Sequence, residues 1–300
     1  MRIWLSLALA AVVVVPAWGQ NLTAEPQVEA YKKIGDVELK MYLFKPAGHQ
    51  ASDKRAAVVF FFGGGWRGGT PKQFFNQCRY LASRGMVAMS AEYRVHSRHQ
   101  ATVAQCVADA KSAIRWVRAN ADKLGIDPNR IASGGGSAGG HLAAAVALLP
   151  GFDEKGEDQS ISSRPNAMIL FNPAIDLRKE AFREDFRAQR YAELARRFGA
   201  DAKALSPAAH IRPKLPPAIV FHGTADATIP FAQVEAFANA MKKAGNRCEL
   251  KGYDGMGHGF FNYRANDTSN FVKTMRQADE FLVSLGYLKG KPTIEEFVGK

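Results

Sequence analysis

The chain has 300 residues, of which 47% are hydrophobic, and it carries a formal net charge of +12. This length and composition favour one large domain with a full core over two small ones. Basic residues are spread along the chain, and the dense cluster at 178–197 is mixed with acidic residues, as in an exposed helix. No nucleic-acid motif accompanies the positive charge, so we expect no nucleic-acid partner.

Residues 1–19 have the pattern of a signal peptide. Arg2 precedes an apolar stretch at 3–15, and residues 16–19 read Pro-Ala-Trp-Gly, with small residues where a signal peptidase requires them. The apolar stretch is short for a bilayer span, although a retained membrane anchor is the alternative. We expect cleavage, a mature chain that starts near Gln20 without a stable membrane anchor, and a periplasmic or secreted location.

An opening β-hairpin is predicted by alternating stretches at 28–33 and 37–44 around a Gly-Asp turn. From residue 56 onward, short apolar runs alternate with amphipathic segments. The predicted strands are 57–62, 86–93, 130–133, 167–171, 218–221 and 248–253, and the predicted helices are 71–84, 103–124, 141–149, 231–243 and 270–285. This alternation predicts a single α/β domain over 20–300, with a mostly parallel sheet covered by helices on both faces.

Three cysteines, Cys78, Cys106 and Cys248, are too few and too scattered for a zinc site or a disulfide scaffold. An oxidising compartment would allow a bridge between Cys78 and Cys106. Both are expected on helices that cover opposite faces of the sheet, which disfavours that bridge. We expect no metal and no cofactor.

Ser137 lies at the centre of a G-x-S-x-G pentapeptide between a predicted strand and an alanine-rich predicted helix. A serine on a tight strand-to-helix turn needs small neighbours, because its backbone is strained and its hydroxyl must stand clear of the sheet. The flanking residues are glycines and Ala138. The helix dipole would also favour an anion that develops beside the hydroxyl. The pattern predicts a nucleophilic serine.

A serine hydroxyl needs a base and a group that orients the base. His222 and His258 both lie in glycine-flanked loops after strands, where an open α/β sheet binds ligands. Asp226 follows the strand of His222, and the order Ser137, Asp226, His258 is typical of α/β-hydrolases. Asp226 could instead be a helix-capping or turn residue, and Asp176 is the reserve candidate for the acid.

Three glycines follow the strand at 57–62 directly, where their backbone N–H groups can face the serine. The N–H groups of Gly64, Gly65 and Ala138 are predicted to form an oxyanion hole. The glycine run could instead bind phosphate, but neither the G-x-x-x-x-G-K-[ST] motif nor the dinucleotide-binding spacing is present.

Together the motifs resemble those of a known family. They are Gly-Gly-Gly-Trp after a strand, Tyr93-Arg94, Asp109, Gly-Gly-Ser-Ala-Gly-Gly-His, His-Gly-Thr-Ala-Asp and Gly-His-Gly-Phe. The set, from about residue 54 to 285, resembles the α/β-hydrolase carboxylesterases near the hormone-sensitive-lipase group. It looks closest to the exported bacterial branch related to acetyl-xylan and feruloyl esterases. The resemblance implies an ester substrate, either a small molecule or an acyl group linked to a plant or algal polysaccharide.

Two departures from that family pattern stand out. Phe62 occupies the position where the family usually has a histidine that braces the oxyanion loop, so we expect aromatic packing to hold the loop here. The N-terminal helical cap of lipase-like relatives has no counterpart before the hairpin, which implies a more open cleft. The insertion at 178–217 is the one segment large enough to form a lid. Trp66 and Phe260 could line the substrate pocket or pack in the core.

The sequence thus predicts a serine esterase that acts through Ser137, His258 and Asp226 and an acyl-enzyme intermediate. One alternative is a serine peptidase of the prolyl-oligopeptidase type, although the propeller or long N-terminal domain of those enzymes is missing. A second alternative is a catalytically silent binding protein on a hydrolase scaffold, since fold alone does not fix function. No oligomeric state is indicated.

Overall fold

An eight-stranded sheet organises the chain. The computed structural model describes residues 25–299, so the predicted signal peptide at 1–19 lies outside the described residues. The strands are β1 (Gln27–Ile34), β2 (Val37–Phe44), β3 (Arg55–Phe61), β4 (Val87–Ala91), β5 (Ile126–Gly136), β6 (Ala167–Phe171), β7 (Ala218–Gly223) and β8 (Cys248–Tyr253). Their order is β1-β2-β4-β3-β5-β6-β7-β8. Strands β3 to β8 run parallel, and the hairpin adds the antiparallel edge, which confirms the predicted fold class.

Helices cover both faces of this sheet. The α-helices of the described residues are α1 (Phe75–Ser83), α2 (His96–His99), α3 (Val103–Ala119), α4 (Ala138–Leu148), α5 (Glu184–Gln189), α6 (Tyr191–Ala195), α7 (Phe231–Lys243), α8 (Ser269–Ser284) and α9 (Ile294–Val298). Helices α3, α4 and α7 pack on one face, and α1, α8 and α9 pack on the other. The two faces give two separate apolar cores, because the sheet lies between them.

Two helix predictions differ most from the structure at their ends. The helix predicted to start at residue 71 begins as a 3-10 turn over Pro71–Phe74, because proline fits the first turn of a helix. Helix α3 starts at a capping box of Thr102 and Gln105 but ends at Ala119 rather than near residue 124. Gly125 then takes a φ of +63°, which turns the chain into β5.

A buried ionic cluster fixes the chain after β4. Asp109 on α3 is fully buried and accepts hydrogen bonds from Lys32 on β1 and from the side chain and backbone of Arg94. Glu154 makes further ion pairs with both cations. A buried carboxylate requires such partners, because an unpaired charge in the core is costly. The cluster places Tyr93 and Arg94 at the edge of the sheet where the site lies.

The insertion at 178–217 packs over the carboxyl ends of the strands and holds short helices rather than a long exposed one. Its backbone is hydrogen-bonded to α3, since Val103 N–H donates to the carbonyl of Arg197 at 2.8 Å. It also contacts α4, where His141 Nε2 donates to the carbonyl of Leu205 at 2.7 Å. The insertion therefore forms a wall beside the site that is hydrogen-bonded to α3 and α4.

Cys78 and Cys106 lie on α1 and α3, in the two cores on opposite faces of the sheet, and both are free and buried. This placement rules out the bridge between them that the sequence left open. Burial raises the pKa of each thiol, so both stay protonated at neutral pH. Within residues 25–299, no helix combines the length and apolar character of a membrane span, and no group of three metal-binding side chains comes together.

Candidate active site

Ser137 lies on a sharp turn between β5 and α4. Its φ is +55° and its ψ is −118°, a backbone conformation that residues other than glycine rarely adopt. Glycines on either side allow this turn to pack closely. A Cβ on Gly139 would lie 2.0 Å from the carbonyl oxygen of Phe61, and one on Gly135 would lie 2.3 Å from the carbonyl oxygen of Gly139. The glycine pattern thus reflects close backbone packing of β3, β5 and α4.

Ser137, His258 and Asp226 form one hydrogen-bonded line. The distance from Ser137 Oγ to His258 Nε2 is 2.9 Å, and the distance from His258 Nδ1 to Asp226 Oδ2 is 2.7 Å. The Asp226 side chain is fully buried, whereas that of His258 is 26% exposed. A carboxylate on Nδ1 requires the proton on that nitrogen, so Nε2 is free to accept the proton of the hydroxyl.

Asp226 is held as a carboxylate by donors on several sides. Its Oδ1 accepts the backbone N–H groups of Thr228 and Ile229 at 2.8 and 2.9 Å. His222 Nε2 lies 3.3 Å from Oδ2 and also donates to the carbonyl of Ile229. Burial alone would raise the pKa of Asp226, but hydrogen bonds from His222, His258 and the backbone hold that pKa well below its usual range. Asp226 therefore stays ionised at neutral pH.

Neither His222 nor Asp176, the other residues weighed at the sequence level, reaches Ser137 as a base or contacts His258. His222 lies behind Asp226 and supports the acid. Asp176 pairs instead with Arg178, with a contact of 2.5 Å to its guanidinium. The reserve assignment of Asp176 as the acid is therefore wrong, because its carboxylate is used within its own loop.

The predicted oxyanion loop follows β3 and faces Ser137. Within residues 25–299, the backbone N–H groups of Gly64, Gly65 and Ala138 donate to no protein acceptor. Gly64 has a φ of +125°, and a Cβ there would lie 2.4 Å from the carbonyl oxygen of Gly68, so only glycine permits this turn. Free N–H groups beside a nucleophile can bind a developing oxyanion.

Phe62 and Tyr93 pack together beneath this loop. Their rings stack with centroids 4.1 Å apart at an angle of 18°, and Tyr93 Oη donates to the carbonyl of Phe62 at 2.8 Å. Both side chains are fully buried, with at most 1% exposed. Aromatic stacking and one hydrogen bond therefore occupy the position beneath the loop that the family histidine would take.

A polar chain joins the oxyanion loop to the loop of His258. Gly63 N–H donates to Gln73 Oε1 at 2.6 Å, and Gln73 Nε2 donates to Asn262 Oδ1 at 3.0 Å. Asn262 Nδ2 in turn donates to the carbonyl of Gly259 at 2.8 Å. Asn172, at the end of β6, accepts the Gly259 N–H at 3.1 Å. Sequence reasoning missed Gln73, Asn262 and Asn172, because no local motif marks them and the contacts that join the loops link residues far apart in the chain.

A cavity of about 350 Å³ opens beside Ser137 and lies between the oxyanion loop and the insertion. Trp66 lines it, is 4% exposed and packs edge-on against His141. Its other lining residues are Gly65, Arg67, Ala138, Ala174, Phe182, Phe186, Arg190, Glu193, Leu194, Arg197, Thr228 and Ile229. The volume lies at the small end of the range for small-molecule sites.

Phe260 does not line this cavity. It packs against Tyr253 and Phe261 in the core on the opposite face of the sheet and is 7% exposed. Gly259, with a φ of +79°, turns the chain between His258 and Phe260. Phe260 thus packs in the core, the alternative that the sequence left open, rather than in the wall of this cavity.

The parallel sheet, the strained serine and its histidine and carboxylate partners define an α/β-hydrolase of the carboxylesterase group near hormone-sensitive lipase. A family model named BD-FAE matches residues 41–241. The chain belongs to the BD-FAE family.

Solved and curated relatives agree with this assignment. Thermogutta terrifontis esterase 2 in its apo form is 54% identical and superposes with a TM-score of 0.84, a match that covers 89% of this chain and 97% of that one. Esterase LipC of Mycobacterium tuberculosis is 32% identical over 222 residues, which cover 68% of this chain and 52% of LipC. The chain spans about half the length of the curated relatives it matches.

Proposed function

We propose that the chain hydrolyses carboxylic esters, with Ser137 as nucleophile, His258 as general base and acid, and Asp226 as the group that orients the histidine. The observation that carries this function is the hydrogen-bonded line from Ser137 Oγ to His258 Nε2, at 2.9 Å, and from His258 Nδ1 to Asp226 Oδ2, at 2.7 Å. A hydroxyl alone is a weak nucleophile, and this arrangement is the one that activates it.

In the first half of the reaction, His258 takes the hydroxyl proton while Ser137 Oγ attacks the ester carbonyl. The carbonyl oxygen becomes an oxyanion, which the N–H groups of Gly64, Gly65 and Ala138 would bind. His258 then gives its proton to the alcohol oxygen, the carbon–oxygen bond breaks, and the alcohol leaves. Water, activated by the same histidine, attacks the acyl-enzyme and releases the acid and the free serine.

The cavity favours a short acyl group. Its volume of about 350 Å³ is closed on one side by the insertion, with Phe186 and Leu194 in the wall. Structures of Thermogutta terrifontis esterase 2 are described as bound to propionate and to butyrate. By similarity, acyl groups of a few carbons are the expected substrates of this chain.

A polysaccharide-linked ester is part of the same proposal. His258 is 26% exposed and does not line the cavity, so an alcohol that leaves from its side can extend into solvent. The signal-peptide pattern at residues 1–19 supports export from the cell, and polysaccharide-linked esters occur outside the cell. Comparing acetylated xylan and methyl ferulate with short 4-nitrophenyl esters tests this point. Turnover of the aryl esters alone would remove the polysaccharide from the proposal.

The variant Ser137→Ala tests the function itself. We expect its turnover of 4-nitrophenyl propionate to fall by about 10⁴-fold or more, because the acyl-enzyme cannot form. Ser133→Ala is the matched control, since it removes a hydroxyl from the same strand that bonds only to the carbonyl of Ala143. Wild-type turnover in Ser137→Ala would contradict the assignment. Faster cleavage of matched anilides than of esters would favour the peptidase alternative, and no turnover of either would favour a silent binding protein.

A further inference from the structure

The cavity beside Ser137 carries an excess of positive charge. Three arginines line it, Arg67 from the oxyanion loop and Arg190 and Arg197 from the insertion, against one acidic side chain, Glu193. None of the three arginines forms a salt bridge within residues 25–299. The remaining wall is mostly apolar, with Phe182, Phe186 and Leu194 among its members. A ligand of short apolar body and one negative charge would complement such a site.

Arg197 is the most constrained of the three arginines. Its Nη1 donates to the carbonyl of Gly65 at 2.8 Å, which fixes the guanidinium beside the oxyanion loop. Its Nε is buried and has no hydrogen-bond partner among the described residues. Burial and the nearby charge of Arg67 lower the pKa of Arg197, while Glu193 acts in the opposite direction. A buried donor without a partner costs free energy that an incoming acceptor would recover.

The cavity lies on the acyl side of the reaction. His258 must face the leaving alcohol in order to protonate it, and His258 does not line the cavity. The lining runs instead from Ser137 and Ala138 past Gly65 to the insertion. A charge recognised by the arginines therefore belongs to the acyl group, at the end remote from the ester carbonyl.

Resting on the proposed ester hydrolysis, we infer that the preferred acyl group ends in a carboxylate, so that the substrate is a monoester of a short dicarboxylic acid. Arg67, Arg190 and Arg197 bind the free carboxylate, and the apolar wall contacts the methylene groups between the two acyl ends. Arginine suits this task because its planar guanidinium presents paired donors to a carboxylate. The alcohol leaves first, and the acid product, a dicarboxylate, leaves the arginines when water replaces it.

Two methyl esters of equal size test this inference. Monomethyl glutarate carries a terminal carboxylate, and methyl glutaramate carries a neutral amide in its place. We expect the ratio of their kcat/KM values to favour the anionic ester in the wild-type protein. Raising the ionic strength from about 0.02 M to about 0.5 M should raise KM for the anionic ester alone, because salt screens attraction between exposed charges.

Variants assign the effect to the arginines. Arg67→Gln and Arg190→Gln are each expected to lower the anionic-to-neutral ratio about three- to tenfold, as for a partly exposed charge pair, and the double variant more. Arg196→Gln is the matched control, because this exposed arginine neighbours Arg197 in sequence and does not line the cavity. Its ratio should equal that of the wild type.

The two levels of the proposal fail differently. Any of three results would overturn the inference: a wild-type anionic-to-neutral kcat/KM ratio at or below one, a KM for the anionic ester that does not depend on salt, or equal ratios in Arg190→Gln and Arg196→Gln. Hydrolysis of the neutral ester would in each case still support the proposed ester hydrolysis. If the wild-type protein hydrolyses neither of the two methyl esters, the proposed function and the inference both fail. The salt experiment uses the wild-type protein, so a variant that fails to fold leaves the inference testable.

Discussion

Tyr93 stacks on the ring of Phe62 and donates a hydrogen bond to the backbone carbonyl of the same residue, at 2.8 Å. The two side chains thus hold both the ring and the backbone at the start of the oxyanion loop. Tyr93 is itself positioned by its neighbour Arg94, which is bonded to the buried Asp109. The ionic cluster in the core and the geometry of the loop are therefore connected within a few residues.

Tyr93→Phe tests this brace. The substitution keeps the stacked ring and removes one hydrogen bond, leaving a buried carbonyl unpaired at a cost of about 1–3 kcal/mol. We expect kcat for a short ester to fall about tenfold with little change in KM, because the loop binds the transition state more than the ground state. Tyr42→Phe is the control, since its hydroxyl bonds to Glu92 away from the site. Equal kinetics for the two variants would contradict a positioning role for Tyr93.

Gln73 joins the oxyanion loop to the loop of His258, and two substitutions separate its two contacts. Gln73→Glu keeps an oxygen that accepts the Gly63 N–H but loses the donation to Asn262, whereas Gln73→Leu loses both. We expect kcat to be highest in the wild type, lower in Gln73→Glu and lowest in Gln73→Leu, about 10- to 100-fold below wild type. If Gln73→Leu retained more activity than Gln73→Glu, the hydrogen bond from the Gly63 N–H to the side chain at position 73 would not matter for the loop.

The burial of His141 predicts that the free energy of unfolding falls as the pH becomes acidic. Burial lowers its pKa to about 4, against the hydrogen bond to the carbonyl of Leu205, which acts in the other direction. Between pH 6.5 and 4 the unfolded chain binds a proton at this histidine and the folded chain does not, so the free energy of unfolding falls as the pH falls. From pH 7.5 to pH 5 this group alone should contribute a loss of about 2 kcal/mol.

Urea unfolding of wild type and His141→Gln at both pH values measures that contribution. The variant should lose about 2 kcal/mol less than the wild type between pH 7.5 and pH 5. His210→Gln is the control for general effects of the substitution, because His210 bonds to the carbonyl of Ala204 within the insertion at 178–217. Parallel losses in wild type and His141→Gln would show that His141 is not kept neutral by the fold.

The wall of the insertion sets acyl length in this account. Phe186 lines the cavity on α5 and is half-buried, so Phe186→Ala should enlarge the acyl space with little effect on the core. We expect the kcat/KM ratio of 4-nitrophenyl octanoate to 4-nitrophenyl propionate to rise about three- to tenfold, as for a gain of a few buried methylene groups. An unchanged ratio would mean that the acyl chain does not run along this wall.

The sequence predicts most of the fold and the line of Ser137, Asp226 and His258, because their signals are local. Alternation marks the hairpin, short apolar runs mark the parallel strands, and glycines mark the turn at Ser137. The short helix α9, with only five residues, has no comparable periodic pattern. The end of α3 was also misplaced, since a turn at Asn120 and Gly125 replaces its last predicted turn.

The remaining features depend on distant contacts that no local pattern contains. Gln73 and Asn262 are 189 residues apart in sequence, and Arg197 and Gly65 are 132 apart. The direction of Phe260 depends on how the chain turns at Gly259 and on the aromatic core that receives it. Such pairings follow from the folded topology, so they become visible only once the strands and loops are placed.

The most direct test of the account is the site of covalent labelling by an organophosphate. Thermogutta terrifontis esterase 2 is phosphorylated by paraoxon. Treated with paraoxon, this protein should gain one diethylphosphoryl group per chain, located on Ser137 by peptide mass spectrometry, and should lose ester hydrolysis in proportion to labelling. Labelling at another residue, or full hydrolysis in a chain fully labelled on Ser137, would contradict the account.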